Sequence, residues 1–234
     1  MVANLQTSTK PDIIYPESDG LPMADNTEQF DWIVIIKLGL ESLFADNTNV
    51  FIAGDLLWYP VEGDNKTRVA PDVMVAFGRP KGKRGSYQQW REDNITPQVV
   101  FEILSLGNTL KEMANKFQFY NRYGVEEYYL YDPDKVDLTA WLRSETGLEV
   151  IEQIKGWVSP RLGIRFELAE DELQIYRPDG QRFATYVEVV QQIEQERQRA
   201  EQAESMLEQE RQRSQALEAR LQELGIDPEV MPHD

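Results

Sequence analysis

Apolar residues in this chain fall into short blocks separated by polar breaks, and the spacing within each block predicts the element it forms. The first 26 residues are polar, carry Pro11, Pro16 and Pro22, and read as an extended arm. Asp25, Asn26 or Thr27 can cap a helix that runs to about Ala45, with Phe30, Val34, Leu38 and Leu40 to Leu43 as its apolar face. Residues 50–59 (VFIAGDLLWY) and 69–77 (VAPDVMVAF) are rich in β-branched and aromatic side chains and predict strands. A polar connection over 79–97, with room for a short hairpin or helix, leads to 98–105 (QVVFEILS). The apolar run there barely alternates, as in a strand buried on both faces.

The polar break Gly107-Asn108-Thr109 opens a helix over about 109–122, and Gly124 suits the left-handed position that ends it. Strands follow at 126–132 and 136–143. Strand, helix and strand in that order suggest a crossover between parallel strands. Residues 148–177 alternate short apolar runs with turns and are expected to extend the sheet as meanders. From Thr185 to Gly225 the chain is Glu, Gln, Arg, Ala and Leu without proline, so a long helix is expected, followed by Pro228. Ile193, Ala200, Leu207, Ser214 and Leu221 recur every seven residues, but the paired positions Glu196, Ala203, Glu210, Leu217 and Leu224 are only partly apolar. That heptad fits a coiled coil or a helix packed on its own domain. The expected organisation is an arm at 1–26, a globular domain at 27–184, a long helix at 185–225 and a tail at 226–234.

Composition narrows the chemistry. An apolar fraction of 41% in 234 residues suits a globular protein with a sizeable core. No apolar run is long enough to span a bilayer, and the N-terminus lacks the basic and apolar pattern of a secretory signal. The expected location is the cytoplasm, with no membrane partner. The absence of cysteine excludes disulfides and thiolate zinc sites, and it fits a reducing compartment. A single histidine, His233, argues against a histidine-based metal centre or a Ser-His triad.

The net charge of −17 is unlike the basic footprint of most nucleic-acid-binding proteins. Residues 187–234 contribute −7 and residues 1–186 contribute −10, so the globular part is itself acidic. Tight nonspecific binding to duplex DNA is not expected at physiological salt, and contact with DNA would need a local basic patch and metal ions. Arg79, Lys81, Lys83, Arg84 and Arg91 form the best such patch. Its alternative reading is a solvated loop whose bases offset nearby acids. A single strand or a nucleotide as substrate would ease the charge problem.

Three groups stand out as candidate chemistry. Of six Pro-acid pairs, only Pro71-Asp72 sits inside an apolar strand pattern, where an acid needs a partner or a metal. Glu102 interrupts Val99-Val100-Phe101 and Ile103-Leu104. It is either one half of a buried ion pair or a cation ligand. Magnesium favours one or two carboxylates with waters and phosphate oxygens, a set that Asp72 and Glu102 can supply, with the Ile103 carbonyl as a third ligand. Lys116 follows on the next helix. With Glu112 it forms either a surface i, i+4 pair or, turned inward, a group that orients water and stabilises phosphate charge. Phe117, Phe119, Tyr120 and Tyr123 are expected to pack on the sheet.

The segments PDVMVAFG, VVFEILSLGNT and EMANKFQFYNRYGVEEYYLYDPD resemble the Uma-type endonucleases of the PD-(D/E)xK superfamily. The resemblance covers about residues 28–180 and is most specific between Glu102 and Asp132, in E-x-L-S, K-x-x-x-Y and G-V-x-E-Y. It implies an α/β protein with a mixed sheet flanked by helices, a restriction-endonuclease-like core. It also implies a Mg²⁺- or Mn²⁺-dependent endonuclease acting on DNA, with Asp72 and Glu102 as the acids of the first two motifs. The third motif position holds Leu104 instead of lysine. Similar departures in the superfamily place the lysine on the adjacent helix, where Lys116 stands. Glu112 matches a position that often holds Asp and is an accessory candidate. A rival reading is an inactive nuclease fold that assembles with partners, most simply as a homodimer, through the C-terminal helix.

Overall fold

The computed structural model describes residues 13–18, 20 and 22–224. Its chain divides into two compact units, Met1–Ala184 and Thr185–Asp234. The first unit is built on a six-stranded mixed sheet. Its strands are β1 (Val50–Gly54), β3 (Val73–Phe77), β5 (Val99–Ile103), β6 (Glu127–Asp132), β7 (Asp137–Arg143) and β8 (Leu148–Val150), in the order β1-β3-β5-β6-β7-β8. Neighbours are antiparallel except β5 and β6, which are parallel and joined through helix α2 (Leu110–Tyr123). The central strands are apolar on both faces because each face is covered by a helix, so their sequences run without alternation.

Alternation still decides which side chain goes where. Val73, Val75, Val99, Phe101 and Ile103 face the core shared with helix α1 (Thr27–Leu43). Met74, Val100 and Tyr128 pack with Tyr120 of α2 on the opposite face. Glu102, between Phe101 and Ile103, therefore points towards α2. The ends of α2 follow from side-chain chemistry. Thr109 accepts the backbone N–H of Glu112 at the N-terminus, and Gly124 takes φ 88° at the C-terminus.

Several expectations are corrected. The buried face of α1 is Gln29, Trp32, Ile33, Ile36 and Leu40, at i, i+3, i+4, i+7 and i+11, whereas Phe30 and Leu38 are exposed. Asn26 is the residue that caps it. The run 50–59 is interrupted at Asp55, whose φ of 47° turns the chain after β1. The short strand β2 (Trp58–Tyr59) then pairs with β4 (Tyr87–Gln88) in a separate two-stranded sheet. The strand expected at 69–77 begins only at Val73; ahead of it Val69 forms an isolated antiparallel bridge with Trp58, and the Asp55 N–H donates to the carbonyls of Pro71 and Asp72. Of the meanders expected at 148–177, only β8 joins the main sheet. β9 (Arg165–Leu168) and β10 (Leu173–Tyr176) form a separate hairpin that buries Phe166, Leu173 and Ile175 in the α1-side core.

In the second unit α3 (Tyr186–Glu223) starts at a capping box: Thr185 Oγ1 accepts from the Glu188 N–H, and the Glu188 carboxylate accepts from the Thr185 N–H. None of its 38 residues is buried. Ion pairs one turn apart run along it, among them Glu194–Arg197 and Glu196–Arg199. The predicted helix end at Gly225 and Pro228, the tail with His233, and residues 1–12 of the arm lie outside the described residues. Among the described residues no helix is long and apolar enough to cross a membrane.

Candidate functional site

Glu102 is 2% exposed, in the middle of the sheet, and both its oxygens are engaged from α2. Lys116 Nζ donates to Oε2 at 2.8 Å, and the Tyr120 hydroxyl donates to Oε1. Lys116 and Tyr120 are four residues apart, so one helical face delivers both donors. Burial alone would lower the Lys116 ammonium. The charges of Glu102 and Asp72 outweigh it and hold the group above its ordinary value. The buried ion pair and the inward lysine, weighed separately from sequence, are one arrangement.

Asp72 enters from the head of β3. Its Oδ2 accepts the Ile103 N–H at 2.6 Å and lies 3.5 Å from Gln29 Nε2. The same amide nitrogen donates to the Ile103 carbonyl at 3.0 Å, and Gln29 Oε1 accepts the Asp25 N–H at 2.8 Å. Burial, then the neighbouring Glu102 charge, raises the Asp72 carboxyl to about 8. Lys116 and the bonds from Ile103 and Gln29 oppose this without cancelling it.

Asp72, Gln29 and Lys116 open into one cleft of about 280 Å³, also lined by Glu112, Asp55 and Arg68, and the buried Glu102 meets it through its ion pair with Lys116. Glu112 accepts from Asn108 Nδ2 at 3.3 Å and stands on the same wall as Lys116. The structure thus brings Asp72, Glu102, Ile103 and Lys116 together, with Glu112 at the rim. Among the described residues no group of three or more His, Cys, Asp or Glu could hold a metal ion, so a cation here would rest on the two acids, the Ile103 carbonyl and water. That donor set suits Mg²⁺ or Mn²⁺. Gln29 occupies one lone pair of the carbonyl and leaves the other. The buried Tyr128 hydroxyl has no partner among the described residues, and the charges of Glu102 and Asp72 act on it.

The basic loop lies elsewhere. Arg79 and Arg84 both bind Glu92, and Arg79 also binds Asp93. Lys81 Nζ donates to the Phe44 and Ala45 carbonyls, while Lys83 and Arg91 are exposed. Arg79 follows the far end of β3, and the strand's five residues put about 17 Å between that end and Asp72. The bases are not brought to the carboxylates. Gln29 and Arg68 were not singled out from sequence, and Tyr120, expected only to pack on the sheet, also donates to Glu102. The available signal was a polar residue, Gln29, on the helix stripe that otherwise holds Trp32, Ile33, Ile36 and Leu40.

A mixed sheet with a helix on each face thus carries a cleft lined by acids at the β3 and β5 ends. The chain belongs to the Uma2 family, described as "Putative restriction endonuclease", whose model matches residues 33–217. Among solved structures it is similar to a "putative nuclease belonging to DUF820" from Anabaena variabilis ATCC 29413. The identity is 16% and the TM-score 0.43, over 58% of this chain and 72% of that one. None of the curated proteins matches the chain.

Proposed function

We propose that the chain is a divalent-metal-dependent endonuclease that hydrolyses phosphodiester bonds in DNA, with Asp72, Glu102 and the Ile103 carbonyl as the ligands of Mg²⁺ or Mn²⁺. The observation that carries this reading is that Asp72 and Lys116 line one cleft and that Lys116 is ion-paired there to the buried Glu102. A bound divalent cation supplies Lewis-acid stabilisation of phosphate charge and an activated water. Lys116, held charged, orients the attacking water and meets negative charge developing on the phosphate. Glu112 is an accessory carboxylate on the same wall. Gln29 fixes Asp72 and the Ile103 carbonyl relative to each other.

Calorimetric titration of Mn²⁺ tests the site without a substrate. One ion is expected to bind the wild type, and none the Asp72→Ala or Glu102→Ala variants. With Mg²⁺ or Mn²⁺ the wild type is expected to cleave DNA and the Asp72→Ala variant not to. Wild-type protein that takes up no Mn²⁺ and cuts neither DNA nor RNA would falsify the reading.

A second reading is favoured by α3, a 38-residue helix with no buried residue. In this reading the unit 185–225 joins two copies of the chain as a coiled coil, whether or not the core is active. Sedimentation of chains with and without residues 187–234 is expected to show loss of self-association in the shorter one. Equal masses per chain would count against it.

A further inference from the structure

The cleft does not end at Lys116. Arg68, Glu112 and Lys116 also line an adjoining cavity of about 350 Å³ that reaches Lys111 and Asn115. Asn115 and Phe119 in turn line a third, about 430 Å³, that reaches Gln118 and Arg122. The three cavities form a track that leaves the acids and follows the outer face of α2. Lys111, Asn115, Gln118 and Arg122 are spaced i, i+4, i+7 and i+11, all are exposed, and none is acidic. Around the two outer cavities the charged side chains are Arg68, Lys111, Lys116 and Arg122 against Glu112 alone. Lys116 is taken by Glu102. Arg68 meets only the Tyr59 hydroxyl and the Asn65 carbonyl, and neither Lys111 nor Arg122 has an ion-pair partner among the described residues. In a protein of net charge −17 this is uncompensated positive charge, and it is continuous with the cleft.

We infer that the exposed stripe Lys111–Asn115–Gln118–Arg122 of α2, entered past Arg68, binds a single nucleic-acid strand and leads it to the Asp72–Glu102 cleft. This rests on the nuclease reading above. Lys111 and Arg122 are about 16 Å apart along the helix, a span of a few nucleotides. The cations take phosphates. Asn115 and Gln118 each offer donor and acceptor to base edges, and the partly exposed rings of Phe119 and Tyr123 lie along the third cavity. One row of side chains serves one strand, and the acidic remainder of the protein disfavours a second.

The test is fluorescence anisotropy of the full chain with labelled oligothymidylate, its RNA counterpart and a duplex of equal length, in EDTA so that nothing is cut. Three phosphate contacts predict a salt slope of about −2 for the single strands. The Lys111→Gln/Arg122→Gln variant is expected to bind either single strand about tenfold more weakly, with the slope reduced by more than half, and to take up Mn²⁺ as the wild type does. The DNA and RNA arms identify which strand the track prefers. Unchanged binding in that variant overturns the inference. So does absence of single-strand binding in the wild type, tighter binding of the duplex, or weakening by Lys83→Gln/Arg91→Gln instead. Failure of Mn²⁺ uptake with stripe-dependent strand binding intact would overturn the metal site and leave the track standing.

Discussion

A Lys116→Met variant is expected to lose about 10²- to 10³-fold in hydrolysis, the usual effect of removing one preorganised donor to transition-state charge, while Mn²⁺ still titrates into the site. Methionine keeps the unbranched stem that packs beside the sheet and removes only the ammonium. The loss is therefore electrostatic, and single-turnover cleavage under saturating Mn²⁺ measures it. The same substitution strands Glu102 Oε2, on a side chain 2% exposed. Removing one partner of such a pair destabilises the fold by about 3–5 kcal/mol. The metal-free variant is thus expected to melt well below the wild type, and Mn²⁺ is expected to restore most of the difference by supplying the missing positive charge. Undiminished hydrolysis in the variant would remove Lys116 from the chemistry. A melting loss that Mn²⁺ leaves untouched would separate the cation from Glu102.

The metal-free protein is expected to become less stable as pH rises, because of Asp72. Its carboxyl has an ordinary value of 3.8 and is raised to about 8 in the folded chain by burial and by Glu102. Between those values the folded state holds a proton that the unfolded state has released. The stabilising contribution is full below pH 4 and fades as pH climbs to 8. The slope in between is about 1.4 kcal/mol per pH unit. Urea unfolding in EDTA at pH 5, 6 and 7 reads it directly. Asp72→Asn, which keeps the shape without a titrating proton, should flatten the dependence and be the more stable protein at pH 7. Parallel curves for the two proteins would show that Asp72 does not carry the proton.

Elements whose limits are local chemistry were legible in the sequence. Thr109 and Gly124 bound α2 because a hydroxyl and a left-handed glycine act over a single turn. β5 followed from an apolar run that barely alternates. The α1 face was misjudged because apolar residues occur nearly all round that helix, and only the sheet decides which of them it covers. Asp55 was unreadable as a breaker because its turn depends on the carbonyls of Pro71 and Asp72, far along the chain. At the site the two acids stood out as polar groups in apolar runs, and Lys116 by its place on the helix that follows Glu102. Gln29 did not, since it reads as a polar residue on an apolar stripe only once the buried face of α1 is known, and its partners, Asp72 and the Ile103 carbonyl, are far along the chain. The basic run at 79–91 looked free of acids only because Glu92 and Asp93 come immediately after it.

On the reading proposed above, losing activity through the Glu102–Lys116 pair is a two-step problem. Substituting either residue alone leaves an orphan charge inside the protein, whereas exchanging both for apolar side chains of similar volume is often neutral or stabilising. A silent descendant of this fold is therefore reached more easily by a coupled loss of glutamate and lysine than through either single mutant. On the reading proposed above, the identities at positions 72, 102 and 116, taken jointly, would sort working copies from retired ones before any assay is run.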